Sequence, residues 1–265
     1  MCRYFLYVTV LVLAAGLGCF ACTGASAATR PALLSHCLRV ESTAWGLELW
    51  RSDGSSGGTA LVRDINPGKP SGRPYQFREV QNRLFFGAND GLHGFELWST
   101  DGTAAGTRMI MDINEGTPGS FPAGIAVLDD KVCFGADNGT HGRELWCSNG
   151  SVEGTDMVVD IFPGPTGSNP RYFTQVNGSL LFEADDGVHG RELWRTDGTR
   201  EGTMLVYDIQ PGRDNSWPSN FSRINGLLLF RATDSRHGRE LWRSDGTSEG
   251  TYMVKDLNDG PVDGF

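Results

Sequence analysis

Glu192-Leu193-Trp194-Arg195-Thr196-Asp197-Gly198-Thr199 is the stretch on which the fold turns, because its pattern recurs along the chain at a fixed step. The tryptophans stand at 50, 98, 146, 194 and 242, spaced by 48 residues each time with no insertion or deletion. Glu48, Glu96, Glu144, Glu192 and Glu240 keep the same step, as do Thr59, Thr107, Thr155, Thr203 and Thr251. A further column holds Asp64, Asp112, Asp160, Asp208 and Asp256. His93, His141, His189 and His237 form another, which the first unit breaks with Trp45. So many coincident columns mark internal duplication of one structural unit.

Each unit reads as four short strands. In the unit of Trp194, Arg171 to Val176 alternates and ends at Asn177-Gly178, a strong hairpin turn. Leu180 to Asp185 follows, closed by the turn 186–190, and then Arg191 to Thr196, ending at Asp197-Gly198. Met204 to Ile209 is the fourth strand, and Pro211-Gly212 opens a longer loop. Four antiparallel strands per unit, with turn residues every few positions, describe the blade of a β-propeller. Stacking such sheets around an axis buries both faces of each and hides their edges. The expected fold is all-β, a β-propeller of about five 48-residue blades, with an open array as the competing arrangement.

The 36 glycines and 12 prolines fall at the predicted turns, and 39% hydrophobic content suits a folded core. A net charge of −9 argues against a nucleic-acid partner, since phosphate binding needs a basic surface. Arg3, the apolar run from Tyr4 to about Cys22 and the small residues Ala25-Ser26-Ala27 make residues 1–27 an expected signal peptide. That leaves 28–265 as a single repeat domain, secreted or on the cell surface, with no membrane span after cleavage. Cys2, Cys19 and Cys22 leave with the signal peptide. Cys133 and Cys147 lie on two arms of one hairpin, where a symmetric register places them opposite each other for a disulfide.

The run from Glu192 to Thr199 resembles the repeat of the ELWxxDGT-repeat proteins, from about Gly46 to Gly260 of this chain. The octapeptide is complete around Trp98, Trp194 and Trp242. It departs at Ser55 in the first unit and at Asn149 and Ser151 in the third. The resemblance implies an exported, propeller-like protein and brings no catalytic residues with it.

Tryptophan at one place in every unit is expected to fill the space between sheets, where its area contributes most. The Asp-Gly-Thr columns read as turn chemistry and the histidines as turn residues bonded nearby. Asp137, Asp185 and Asp186 sit in acidic, glycine-containing turns, the setting in which calcium is a candidate; no other cofactor is expected. Asn138, Asn149, Asn177 and Asn220 head sequons that a glycosylating host would use. The residue before the loop proline varies: Arg73, Phe121, Asn169 and Trp217, with Phe265 in the same column. Exposed aromatics on a rigid scaffold suit the apolar faces of sugars, so these four are the candidate ligand residues. The favoured function is a non-catalytic binding or adhesion module for a glycan or cell-surface protein. A structural surface component is the alternative, and an enzyme with an axial site stands third. No loop is extended to build a lid, and no nucleophile elbow, His-Glu-x-x-His pair or phosphate loop occurs.

Overall fold

The computed structural model describes residues 37–257 and residue 260. The expected signal peptide and Phe265 lie outside the described residues. Within them the regular structure consists of strands alone. Among the described residues no helix is long and apolar enough to cross a membrane.

The strands form five separate antiparallel sheets, each built from consecutive strands in chain order. The first has three, β1 (Cys37–Ser42), β2 (Gly46–Arg51) and β3 (Ala60–Arg63). The second has four: β4 (Tyr75–Val80), β5 (Arg83–Asn89), β6 (Phe95–Thr100) and β7 (Arg108–Met111). The third comprises β8 (Ala123–Leu128), β9 (Lys131–Asp137), β10 (Arg143–Ser148) and β11 (Thr155–Val159). The fourth comprises β12 (Arg171–Val176), β13 (Ser179–Asp185), β14 (Arg191–Thr196) and β15 (Met204–Tyr207). The fifth comprises β16 (Ser219–Ile224), β17 (Leu227–Asp234), β18 (Gly238–Ser244) and β19 (Tyr252–Lys255). The fourth strand of the Trp194 unit therefore stops at Tyr207, short of the expected Ile209. The Ile209 N–H leaves the ladder to donate to the Glu192 carboxylate at 3.0 Å.

Neighbouring sheets pack face to face through four apolar cores. Phe85, Leu97 and Ile110 of the second sheet meet Ile125, Phe134 and Trp146 of the third, and the other junctions repeat the pattern. Each tryptophan packs against the sheet that precedes it in the chain. Trp98, Trp146, Trp194 and Trp242 are buried, whereas Trp50, with no described sheet before it, is half-buried. Burying an indole this way stabilises the junction by roughly 2–3 kcal/mol. At the far end no described residue covers the trailing face of the fifth sheet. Ile224, Val254 and Leu257 are exposed there, although Val176, Val206 and Ile209, one unit earlier, are buried.

Candidate functional site

The long loop of each of the first four units is held from beneath by the glutamate of the Glu-Leu-Trp motif, which is fully buried. The Glu96 carboxylate accepts hydrogen bonds from the backbone N–H of Ile113 (3.2 Å), Asn114 (3.3 Å) and Ser120 (2.7 Å) and from Ser120 Oγ (2.5 Å). Glu144 and Glu192 repeat the arrangement with Ser168 and Ser216. Desolvation raises the Glu48, Glu96 and Glu144 carboxyls above the ordinary range and Glu192 to about 8, against the pull of these donors. The glutamate thus fixes where the next residue, the variable one, emerges.

That variable residue stands in the left-handed region at all four of its described positions: Arg73 (φ 48°), Phe121 (φ 50°), Asn169 (φ 51°) and Trp217 (φ 51°). For non-glycine residues this costs on the order of 1–2 kcal/mol each and persists where surroundings enforce it. The Phe121 N–H is tied to the Phe95 carbonyl at 2.9 Å, and the Arg73 N–H to that of Leu47 at 3.0 Å. The strand that follows is bulged, with Gln76, Gly124, Tyr172 and Asn220 again at positive φ. Side chains at these positions are aimed by a rigid frame.

Arg73 and Phe121 line one open cleft of about 410 Å³, together with Arg39, Tyr75, Phe95, Pro122, Ala123 and Arg143. Its wall is aromatic: Phe95 packs on Phe121 with centroids 5.4 Å apart and edge-on to Tyr75 at 5.7 Å. The Tyr75 ring lies over Gly87, where a side chain would collide with it, and its hydroxyl donates to the Pro122 carbonyl at 2.8 Å. Burial pushes the Tyr75 phenol well above its ordinary value. Arg143 Nη1 donates to the carbonyls of Phe121 (2.7 Å) and Gly135 (2.9 Å), fixing the guanidinium under the cleft. Desolvation lowers the Arg143 pKa, yet an arginine remains charged at any physiological pH. Among the described residues, Arg39, Arg73 and Arg143 form no salt bridge with a carboxylate.

Asn169 and Trp217 do not line this cleft. Asn169 is half-buried and donates its side-chain amide to the Gly167 carbonyl at 3.0 Å. Trp217 is 47% exposed and lies over the Arg191 guanidinium, 5.4 Å from the ring centroid. Arg191 in turn donates to Glu183 at 2.8 Å. Six of the cleft residues, Arg39, Tyr75, Phe95, Pro122, Ala123 and Arg143, are not among the candidates read from the sequence. A signal exists for Arg39 and Phe95, which stand in columns whose residue type changes. Arg39, Gly87, Gly135, Glu183 and Arg231 share one column, and Leu47, Phe95, Arg143, Arg191 and Arg239 another.

The acidic turns have local tasks. Asp137 Oδ1 accepts the Gly139 N–H, and Asp185 Oδ1 accepts that of Gly187. Asp186 takes the Val188 and His189 N–H groups and pairs with His189 Nδ1 at 2.7 Å. Among the described residues no group of three or more His, Cys, Asp or Glu side chains is placed to hold a metal ion. Asp137, Asp185 and Asp186 thus each accept backbone N–H groups within their own turns. His93 pairs with Asp90 and His237 with Asp234, while His141 meets Asn138. The Asp-Gly-Thr turns cap themselves: Asp101 Oδ1 accepts from the Thr103 N–H and Oγ1, and Ser55 and Ser151 make the same bonds to Asp53 and Asn149. Cys133 and Cys147 are disulfide-bonded across directly paired positions of β9 and β10. Of the sequon asparagines, Asn149, Asn177 and Asn220 are exposed and Asn138 is half-buried.

No family model matches the sequence, and no curated protein matches it. Solved structures do share its fold. A prolyl endopeptidase structure superposes with a TM-score of 0.54 at 12% identity, covering 87% of this chain and 35% of that one. The computationally designed Ika8 protein gives 0.46 at 14% identity, over 86% of this chain and 61% of its own. The putative TolB of Agrobacterium tumefaciens gives 0.42 at 10% identity, over 86% and 79%. The chain thus spans about 61% of the designed protein and 35% of the endopeptidase, and the likeness to the endopeptidase is one of fold.

Proposed function

We propose that this chain is an exported, non-catalytic binding module that presents a ligand cleft on a five-bladed β-propeller. The cleft carries the reading. Where the repeat columns vary, three arginines and three aromatic rings surround one opening of about 410 Å³. Binding sites are commonly built from variable loop residues aimed by a rigid scaffold, and that is the arrangement around Arg73 and Phe121. Phe121, 49% exposed and held by its neighbours, is the platform for the apolar face of a sugar ring. Carbohydrate, free or on a cell-surface glycoprotein, is therefore the ligand class. Export is supported by the N-terminal apolar run and accords with the Cys133–Cys147 bond.

Ring closure is supported by the two uncovered faces. Leu38 and Trp50 of the first sheet stand where Phe86 and Trp98 pack in the second, and the exposed Ile224, Val254 and Leu257 offer the matching surface. A solution scattering envelope of a compact disc is expected; an extended rod contradicts closure. A glycan array is expected to show binding that Phe121→Ala removes and Trp217→Ala leaves intact. Silence of the unaltered protein across the array contradicts the binding reading.

A further inference from the structure

We infer that the cleft recognises an acidic saccharide, with the sugar carboxylate meeting the arginines and the ring lying on the aromatic wall. The inference rests on the reading of the cleft as a ligand site and adds the charge of what enters it.

The fourth unit shows how this scaffold accommodates a half-buried arginine. Arg191 is matched by Glu183, 2.8 Å away, and covered by Trp217. One unit earlier the glutamate column holds Gly135 beside Arg143, and one unit before that it holds Gly87. The carboxylate is therefore missing from the wall of the cleft. Arg143 satisfies one nitrogen on two carbonyls, which leaves further guanidinium donors and the full charge without a salt-bridge partner among the described residues. In the first unit that column carries Arg39, so the position reverses sign, and Arg73 adds a third cation. Nearby carboxylates act only at a distance: Asp137 on Arg143 and the buried Glu96 on Tyr75. Three cations around one opening are not an average property of a chain with net charge −9.

A half-buried cation without a counter-ion is costly, and a planar carboxylate offers a guanidinium two parallel hydrogen bonds. A ligand carboxylate in the cleft would do for Arg143 what Glu183 does for Arg191. The apolar wall of Tyr75, Phe95 and Phe121 requires that the same ligand also present a hydrophobic face, which a simple inorganic anion lacks. Uronic acids combine the two.

The test is calorimetric titration of the full chain with trigalacturonic acid and, separately, with its fully methyl-esterified form. The acid is expected to bind, and the neutral ester at least about tenfold more weakly. Gly135→Glu supplies the missing carboxylate from within. A Cβ at Gly135 would meet Pro170 Cγ at 3.2 Å, the Pro170 carbonyl oxygen at 3.3 Å and Arg143 Cδ at 3.5 Å, so Pro170 must give by a few tenths of an ångström. This variant is expected to lose acid binding while keeping its melting temperature. Arg73→Gln, at an exposed position, is expected to weaken the acid about tenfold and leave the ester unchanged, and it serves if Gly135→Glu does not fold. Equal binding of acid and ester overturns the charge preference and leaves the ligand cleft standing. Binding of neither, with none on the glycan array, overturns both.

Discussion

Around one open cleft, Arg143 stands with two further arginines and three aromatic rings; around Arg191, the same columns of the repeat place a glutamate and a tryptophan against the guanidinium. Both arginines sit at the start of the third strand of their sheet and share one backbone frame. What separates them is the residue on the neighbouring strand two places from the arginine's ladder partner, Gly135 (opposite Leu145) in one sheet and Glu183 (opposite Leu193) in the other, together with the side chain before the proline. The comparison teaches that identical scaffolding supports either a self-satisfied charge cluster or an unsatisfied one. Only the unsatisfied one has something to offer a ligand.

If the scaffold is common to both regions, removing it should cost both alike. Glu96→Ala, beneath the Phe121 loop, and Glu192→Ala, beneath the Trp217 loop, each strand several buried donors and should each cost about 3 kcal/mol in urea unfolding. A clearly unequal cost breaks the comparison at its base. Glu183→Ala should cost about 2 kcal/mol, because Arg191 loses its counter-ion in a largely buried setting. Arg143 already lacks such a partner, so Arg143→Lys should move the melting temperature less while reducing binding. Trp217→Ala should cost about 1 kcal/mol, the contribution of an aromatic face over a guanidinium, with no change in binding. Loss of binding on that substitution would return Trp217 to the site.

The smallest effect concerns the turns. Hydrogen bonding to Asp90 raises the His93 pKa above 6.5. Burial opposes ionisation of Asp90, but the hydrogen bonds it accepts from His93 and Leu92 leave it lowered. The stabilisation from His93 is full below its ordinary pKa and is lost as pH rises through the raised one. That from Asp90 is present above its ordinary pKa and is lost on acidification through the lowered one. A His93→Gln variant should therefore show a flatter fall in melting temperature above pH 6.5 than the unaltered chain. His141→Gln, whose partner is Asn138, is the control.

Much of the frame is legible in the sequence because it depends on local signals. Asn177-Gly178 and Asp197-Gly198 announce hairpins, and the step of 48 announces stacking. The Cys133–Cys147 register follows from the symmetry of one hairpin. The role of the glutamate column is hidden because its partners lie 17, 18 and 24 residues away, in a loop without periodic pattern. Arg73 and Phe121 are visible as variable loop residues. Arg39, Tyr75, Phe95 and Arg143 sit within strands, and the cleft they complete spans three sheets, so local patterning carries no mark of it. Trp217 is legible as a loop aromatic, whereas its contact with Arg191, 26 residues back, and the Arg191–Glu183 pair beneath it, which joins two strands, are not.

The most direct test of a functional cleft between otherwise equivalent repeats is an NMR chemical-shift map of the full chain titrated with trigalacturonic acid. Shifts confined to the surroundings of Arg39, Arg73, Tyr75, Phe121 and Arg143 are predicted, with the Glu183–Arg191–Trp217 cluster silent. Shifts centred on Trp217, or spread evenly over the equivalent loops of all units, would contradict the account.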